Sequence, residues 1–174
     1  MLKPVLTDVG KNEIARALSE GYSLSFEKIG IGSGYFKPTA QVENLAKQEE
    51  LITCEASHKV AKGRIHITGI ATDLAGEVYK VHEYGFYSNT GVLIAYTSSE
   101  EPLAYRLKDQ DLLLAFDLII DEIPDGAFKY QGPGERLNLA LANEIAILTK
   151  ALAAAQNRIL EQELRLLELE SKIK

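Results

Sequence analysis

The sequence predicts an α+β protein in which a mostly antiparallel β head domain with two short helices precedes a C-terminal parallel coiled-coil helix. Two observations predict this. Apolar residues follow period two in several segments of the first two-thirds, and they recur in sevens near the C-terminus. Glycine and proline residues separate the two patterns. We therefore place the β-rich head at residues 1–124, a Gly/Pro hinge at 125–136 and the coiled-coil oligomerisation helix at 137–174.

The C-terminal segment has branched aliphatic residues at five successive a positions and one polar residue among its d positions. The a positions are Ile145, Leu152, Ile159, Leu166 and Ile173, and the d positions are Leu141, Leu148, Ala155, Gln162 and Leu169. An isolated helix cannot bury such a stripe, so we expect several copies to pack together. A surface helix packed on its own domain is the alternative.

The charged residues beside this stripe predict that the helices run parallel and in register. In a parallel coil Arg158 faces Glu163 of the neighbouring chain, and Arg165 faces Glu170 in the same way. An antiparallel coil would bring like charges together. Each exposed pair contributes only about 0.3–0.5 kcal/mol, which selects an orientation without holding the coil together. We predict three strands, with two as the alternative.

The head is expected to begin with a short helix. Residues 7–20 carry apolar side chains on one helical face. Thr7 or Asp8 is suited to cap its N-terminus, and Gly21 is suited to end it.

A strand and a glycine-rich turn follow. Residues 23–32 are predicted as a strand that runs into Gly30, Gly32 and Gly34. A phosphate loop is disfavoured because no Lys-Ser/Thr pair follows these glycines. A tight loop that needs positive φ angles is the favoured interpretation. After the turn, a brief helix is predicted over residues 39–47, capped by its first residue.

Two hairpins and one long apolar strand complete the predicted sheet. The first hairpin joins residues 51–60 to 64–72, and the second joins 78–88 to 92–98. Residues 111–121 form the longest apolar run. We predict a central strand there, because aromatic and β-branched residues favour a strand over a helix.

Composition and charge exclude some classes of partner. Of the 174 residues, 46% are hydrophobic and 25% are charged, as in ordinary globular proteins. No run of 18 apolar residues and no secretory signal is visible, so no membrane partner is expected. The formal charge is −6, and because residues 135–174 sum to zero, the excess lies on residues 1–134. An acidic head argues against a nucleic-acid partner.

No residue is predicted to act in catalysis, to bind a cofactor or to bind a metal ion, so we expect no enzyme and no cofactor. His58 and His66 could face each other across the first hairpin, and His82 lies beside a glutamate, but no HxxxH or CxxC spacing occurs. Cys54 is the only cysteine and is expected to be a small buried strand residue.

Four motifs of the head occur in a recognisable order: LTDVGKNEIARAL, FEKIGIGSG, KPTAQVENLAKQEELI and VHEYGFYSNTGVLIAYTS. The second contains the Ile29-Gly30-Ile31-Gly32 turn, and the last contains Glu83, Gly85, Phe86 and Gly91. In these motifs residues 5–120 resemble the N-terminal, tail-collar type domain of phage tail-fibre proteins from contractile-tailed phages and related injection particles.

The resemblance implies a structural protein of the virion tail, made in the host cytoplasm. It would attach a trimeric fibre to the baseplate as a short proximal fibre or adaptor. The implied partners are the chain itself as a parallel homotrimer, a baseplate protein through the head, and a distal fibre protein through the coil. A free trimeric fibre-assembly factor or binding module that is not retained in the particle is the alternative. Because tail fibres continue into a long shaft, we expect another protein to supply the distal part.

Two groups of residues are candidates for binding a partner. Leu160, Leu164 and Leu167 lie outside the heptad stripe but on one helical face, and they could bind a second protein or widen the core of the coil. The glycines of the turn, Gly30, Gly32 and Gly34, form the second group.

Overall fold

A computed structural model of the chain describes residues 4–61, 63–72, 78–108, 110–119, 126–132, 145–156, 158, 159, 162 and 165. Its elements are β1 (Val5–Leu6), α1 (Asp8–Glu20), β2 (Phe26–Gly32), β3 (Gln48–Ala61), β4 (Arg64–Ala71), β5 (Tyr79–Val81), β6 (Glu83–Ser88), β7 (Leu93–Ser98), β8 (Ala104–Arg106), β9 (Leu112–Ile119) and α2 (residues 145–156). The chain divides into two compact units, Met1–Gly134 and Glu135–Lys174.

Seven strands of the first unit form one antiparallel sheet in the order β1-β7-β6-β2-β3-β4-β9. The first half of β3 pairs with β2, and its second half pairs with β4. A bulge between Cys54 and Ala56 lies close to this change of partner. Because a bulge bends and twists a strand, β3 turns the sheet into a half-barrel. A separate pair, β5 and β8, is also antiparallel.

Local sequence signals account for α1. The Thr7 hydroxyl accepts a hydrogen bond from Gly10 N at 2.9 Å, as an N-cap residue does. Gly21 ends the helix in the left-handed conformation with φ 76°. The predicted helix and its cap residues are therefore confirmed, and Ile14 and Ala17 are buried from its apolar face.

Both predicted hairpins are present. The first joins β3 to β4 and the second joins β6 to β7. The apolar run at 111–121 gives β9, but this strand lies at an end of the sheet, so the prediction of a central strand is wrong. Leu114 and Leu118 are buried, whereas Leu113 is 44% exposed. Composition could not distinguish a central strand from an edge strand, because a continuous apolar run also suits an edge strand with one buried face.

A segment within the predicted hinge lies against the head. Leu24 N donates to Ala127 O at 2.9 Å, and Ser57 N donates to Gln131 O at 2.8 Å. The Phe128 ring stacks on Phe26 with 4.7 Å between centroids. Residues 126–132 therefore add hydrogen bonds and an aromatic contact to the half-barrel.

The prediction of a long parallel coiled-coil helix over 137–174 is wrong. The continuous described helix of this region, α2, covers residues 145–156, and no long coiled-coil helix is formed by the described residues. The heptad pattern indicates which residues an assembly could bury, but it does not stabilise a helix by itself. A single helix of this length is marginal in water, since most helical stability comes from tertiary packing.

The prediction of a second short helix in the head is also wrong. Residues 39–47 form turns and bends within a loop that connects β2 to β3. The Glu83 side chain, on a strand distant in the sequence, accepts hydrogen bonds from the backbone of this segment. Leu45 packs against the sheet instead of lying along a helical stripe.

A candidate docking loop held by a buried glutamate

The most distinctive surface of the head is the loop of residues 33–47, which we call the 33–47 loop. Its two ends meet, since Ser33 N donates to Lys47 O at 3.0 Å. The loop thus resembles a compact Ω-loop, whose ends lie close together and whose own side chains fill its interior. Such loops frequently carry function.

Glu83 on β6 is the anchor of this loop. Its side chain is fully buried, and its carboxylate accepts three hydrogen bonds. Ala46 N donates to Oε2 at 2.9 Å, and Lys47 N donates to Oε1 at 2.8 Å. The Tyr96 hydroxyl donates to Oε2 at 2.9 Å. One carboxylate on the sheet therefore holds the C-terminal end of the loop.

Tyr96 remains a hydrogen-bond donor at neutral pH. Burial, together with the nearby Glu83 carboxylate, raises the pKa of Tyr96 to about 12. Its oxygen also accepts a hydrogen bond from Phe36 N at 3.3 Å. Tyr96 thus links the anchor to the outer part of the loop.

A small apolar cluster holds the same loop from within. Leu45 is 8% exposed and packs with Leu93 and Tyr96 of β7, and Val42 and Tyr87 lie at its edge. This cluster is separate from the main core of the half-barrel. The loop is therefore held both by hydrogen bonds to a buried carboxylate and by apolar contact.

The glycines of the predicted turn make room for this loop. A Cβ on Gly30 would lie 2.8 Å from Leu45 Cδ1, and one on Gly34 would lie 2.6 Å from Ala46 Cβ. A Cβ on Gly32 would lie 2.6 Å from Lys47 O. None of the three has a positive φ, so the favoured explanation of these glycines by positive φ angles is wrong. Close approach of the loop is the reason that only glycine fits.

The outward side of the 33–47 loop presents two aromatic residues. Tyr35 is 39% exposed and Phe36 is 49% exposed. Beside them, residues from Phe36 to Leu45 line an open pocket of about 580 Å³. The sequence contained one signal for this surface that the motif analysis did not use, a pair of adjacent aromatic residues between glycine and proline.

The predicted oligomer-interface residues that are described on α2 are exposed. Ile145, Leu148 and Leu152 are 63%, 65% and 61% exposed, and their spacing places them on one side of the helix. Ala155 is exposed as well. Further along, the exposed predicted residues are Arg158, Ile159, Gln162 and Arg165. The remaining predicted residues lie outside the described part of the chain: Leu141, Leu160, Glu163, Leu164, Leu166, Leu167, Leu169, Glu170 and Ile173.

Other chemistry is sparse in the described part of the chain. Cys54 is buried, and this burial raises the pKa of its thiol to about 11, so the thiol stays protonated and a poor nucleophile. No group of three or more His, Cys, Asp or Glu residues is arranged there to hold a metal ion. Among the described helices, none has the length and apolarity that crossing a membrane requires.

Comparison with known proteins adds no relative. No family model, no curated protein and no solved structure matches the chain. The features that bear on function are the 33–47 loop, the exposed residues of α2 and the motif resemblance of residues 5–120.

Proposed function

We propose that the chain is a structural protein of a phage tail or a related contractile particle. In this proposal it attaches a trimeric fibre to the baseplate, as a short proximal fibre or adaptor. The observation that carries the proposal is the 33–47 loop, in which Tyr35 and Phe36 are exposed on a backbone anchored by Glu83. The motif resemblance supplies the kind of particle and the baseplate as the partner.

The architecture of the loop suits protein binding. Aromatic residues are enriched at the centres of protein interfaces, where a few of them carry most of the binding free energy. Because the loop backbone already donates two hydrogen bonds to Glu83 and one to the Tyr96 hydroxyl, binding would order few additional groups. A preorganised surface loses less conformational entropy on association. The open pocket beside Phe36 could receive a side chain of the baseplate protein.

The trimeric state in this proposal rests on α2. The large apolar residues of α2 are each more than 60% exposed in the single chain. Contact with further copies of the chain would bury Ile145, Leu148 and Leu152, and this burial would stabilise the short helix. A distal fibre protein would be a further partner of the same segment.

Incorporation into particles tests the docking function. We expect the wild-type chain in purified particles at a copy number that is a multiple of three, as measured by quantitative mass spectrometry. Phe36→Ala should lower incorporation at least about tenfold, since loss of a central aromatic residue commonly costs about 2 kcal/mol or more of binding free energy. The matched control is Tyr105→Ala, which removes a 57% exposed aromatic residue of β8 outside the loop.

Equal incorporation of Phe36→Ala and wild type would show that the loop does not dock. A wild-type chain that assembly requires but that finished particles lack would refute the adaptor role and support the free assembly factor.

Light scattering on the full-length chain tests the oligomeric state separately. We expect a trimer for the wild type, and a monomer when Leu148→Gln and Leu152→Gln are combined, because polar groups would replace two leucines that the trimer would bury. Ala154→Gln is the matched control, since its position lies on the opposite side of α2. A trimer that persists in the double variant would exclude this side of the helix as the interface.

A further inference from the structure

A pair of histidines lies on the solvent-facing side of the first hairpin. His58 of β3 and His66 of β4 are direct partners in the strand register. Their ring centroids are 5.0 Å apart and the rings are tilted by 42°. His58 is exposed and the His66 side chain is 30% exposed. The two imidazole rings are therefore neighbours on the accessible surface.

Asp117 of β9 determines which nitrogen of His66 is available. Its Oδ1 lies 2.7 Å from His66 Nδ1. An ionised carboxylate only accepts hydrogen bonds, so Nδ1 carries the proton and the Nε2 of the neutral ring keeps a free lone pair. Arg64 donates to the other carboxylate oxygen.

We propose that His58 and His66 form a two-imidazole site for a divalent transition-metal ion of the nitrogen-preferring class, such as Zn²⁺, Ni²⁺ or Cu²⁺. The hydrogen bond from His66 to Asp117 matches the carboxylate–histidine–metal arrangement found in established metal sites. Both carboxylate oxygens of Asp117 accept hydrogen bonds from residues of the neighbouring strand β4. Asp117 therefore orients His66 and is not itself a metal ligand. Water completes the coordination of the ion.

This site differs from the sequence-based expectation of no metal binding. The sequence indicated that His58 and His66 could face each other, but metal binding was not expected without a third and fourth donor or an HxxxH or CxxC spacing. Antiparallel pairing instead brings together residues that are eight positions apart, because β3 and β4 run past each other in register. The third group, Asp117, is 51 positions from His66 in the sequence.

Calorimetric titration of NiCl₂ into the untagged full-length chain tests the site. We expect one ion bound per chain. His58→Asn and His66→Asn should each weaken binding at least about tenfold, because loss of an outer partner alone commonly lowers metal affinity about 10- to 100-fold. Asp117→Asn should weaken binding while leaving it measurable. His82→Asn is the matched control, since His82 lies outside this pair and its Nδ1 donates a hydrogen bond to Ser99 O at 3.0 Å.

His58→Asn gives the clearest result, because the His58 side chain is exposed and its replacement is expected to leave the fold intact. Circular dichroism confirms the fold of each variant before titration. No binding by the wild type, or equal affinity in the wild type and His58→Asn, would overturn the proposal. A loss of affinity in His82→Asn equal to that in His58→Asn would overturn it as well. None of these outcomes depends on the proposed docking function.

Discussion

Glu83→Ala is expected to lower the free energy of unfolding of the head by about 3–5 kcal/mol. The substitution removes the acceptor of Ala46 N, Lys47 N and the Tyr96 hydroxyl. A donor that is left unsatisfied in a buried site costs about 1–3 kcal/mol, and here three donors lose their partner together. The side chain also leaves a cavity, because Glu83 is fully buried.

Urea denaturation followed by circular dichroism measures this effect. With a typical slope of about 1–3 kcal/mol per molar urea, the midpoint should fall by at least about 1 M. Glu27→Ala is the matched control, since Glu27 is exposed on the adjacent strand β2. We expect its effect to stay within about 0.5 kcal/mol. If Glu83→Ala and Glu27→Ala have the same midpoint, the buried carboxylate does not hold the loop.

Glu83→Gln separates hydrogen bonding from packing. The amide keeps one acceptor oxygen and nearly the same volume, but its NH₂ group faces donors that need an acceptor. We therefore expect the free energy of unfolding of Glu83→Gln to lie between those of the wild type and Glu83→Ala. In the alanine variant, faster chymotryptic cleavage after Phe36 would show that the loss includes release of the 33–47 loop, since locally opened segments are cleaved first.

Gly32→Ala is the second large expected effect, a loss of about 1–3 kcal/mol in the free energy of unfolding. The new Cβ would lie 2.6 Å from Lys47 O and 2.6 Å from Glu83 Cγ. Neither atom moves easily, because one belongs to the backbone and the other to a side chain with three hydrogen bonds. The clash opposes the usual gain from Gly→Ala, which is about 0.4–1 kcal/mol through a less flexible unfolded chain.

Gly132→Ala is the control for this substitution. It has no heavy atom within 4 Å of the added Cβ, and its φ is not positive. We expect it to be neutral or slightly stabilising in the same urea experiment. A Gly32→Ala variant as stable as Gly132→Ala would mean that the loop does not approach β2 as closely as the structure indicates.

Short-range patterns predicted much of the head. The Thr7 cap and Gly21 stop predicted α1, because a helix end is satisfied by groups within one turn of it. Period-two segments around short loops predicted β3–β4 and β6–β7, because a hairpin pairs neighbours in the sequence. These elements depend on interactions that a sequence window contains.

The parts that were predicted wrongly depend on distant residues. Residues 39–47 did not become a helix, because Glu83 on a strand 36 positions away accepts hydrogen bonds from Lys47 N. The edge position of β9 follows from its pairing with β4 alone, which its apolar composition does not reveal.

The sequence by itself determined α1, the hairpin strands and the presence of an apolar stripe near the C-terminus, since each depends on residue periods and cap residues close together in the chain. Only the tertiary structure explained why Gly30, Gly32 and Gly34 are glycines, because the 33–47 loop occupies the space that their Cβ atoms would fill. It likewise showed that Ile145, Leu148 and Leu152 of the apolar stripe are exposed in the single chain. The physical reason is common to both. A local pattern states what could be buried, and burial itself depends on surfaces that the fold brings together.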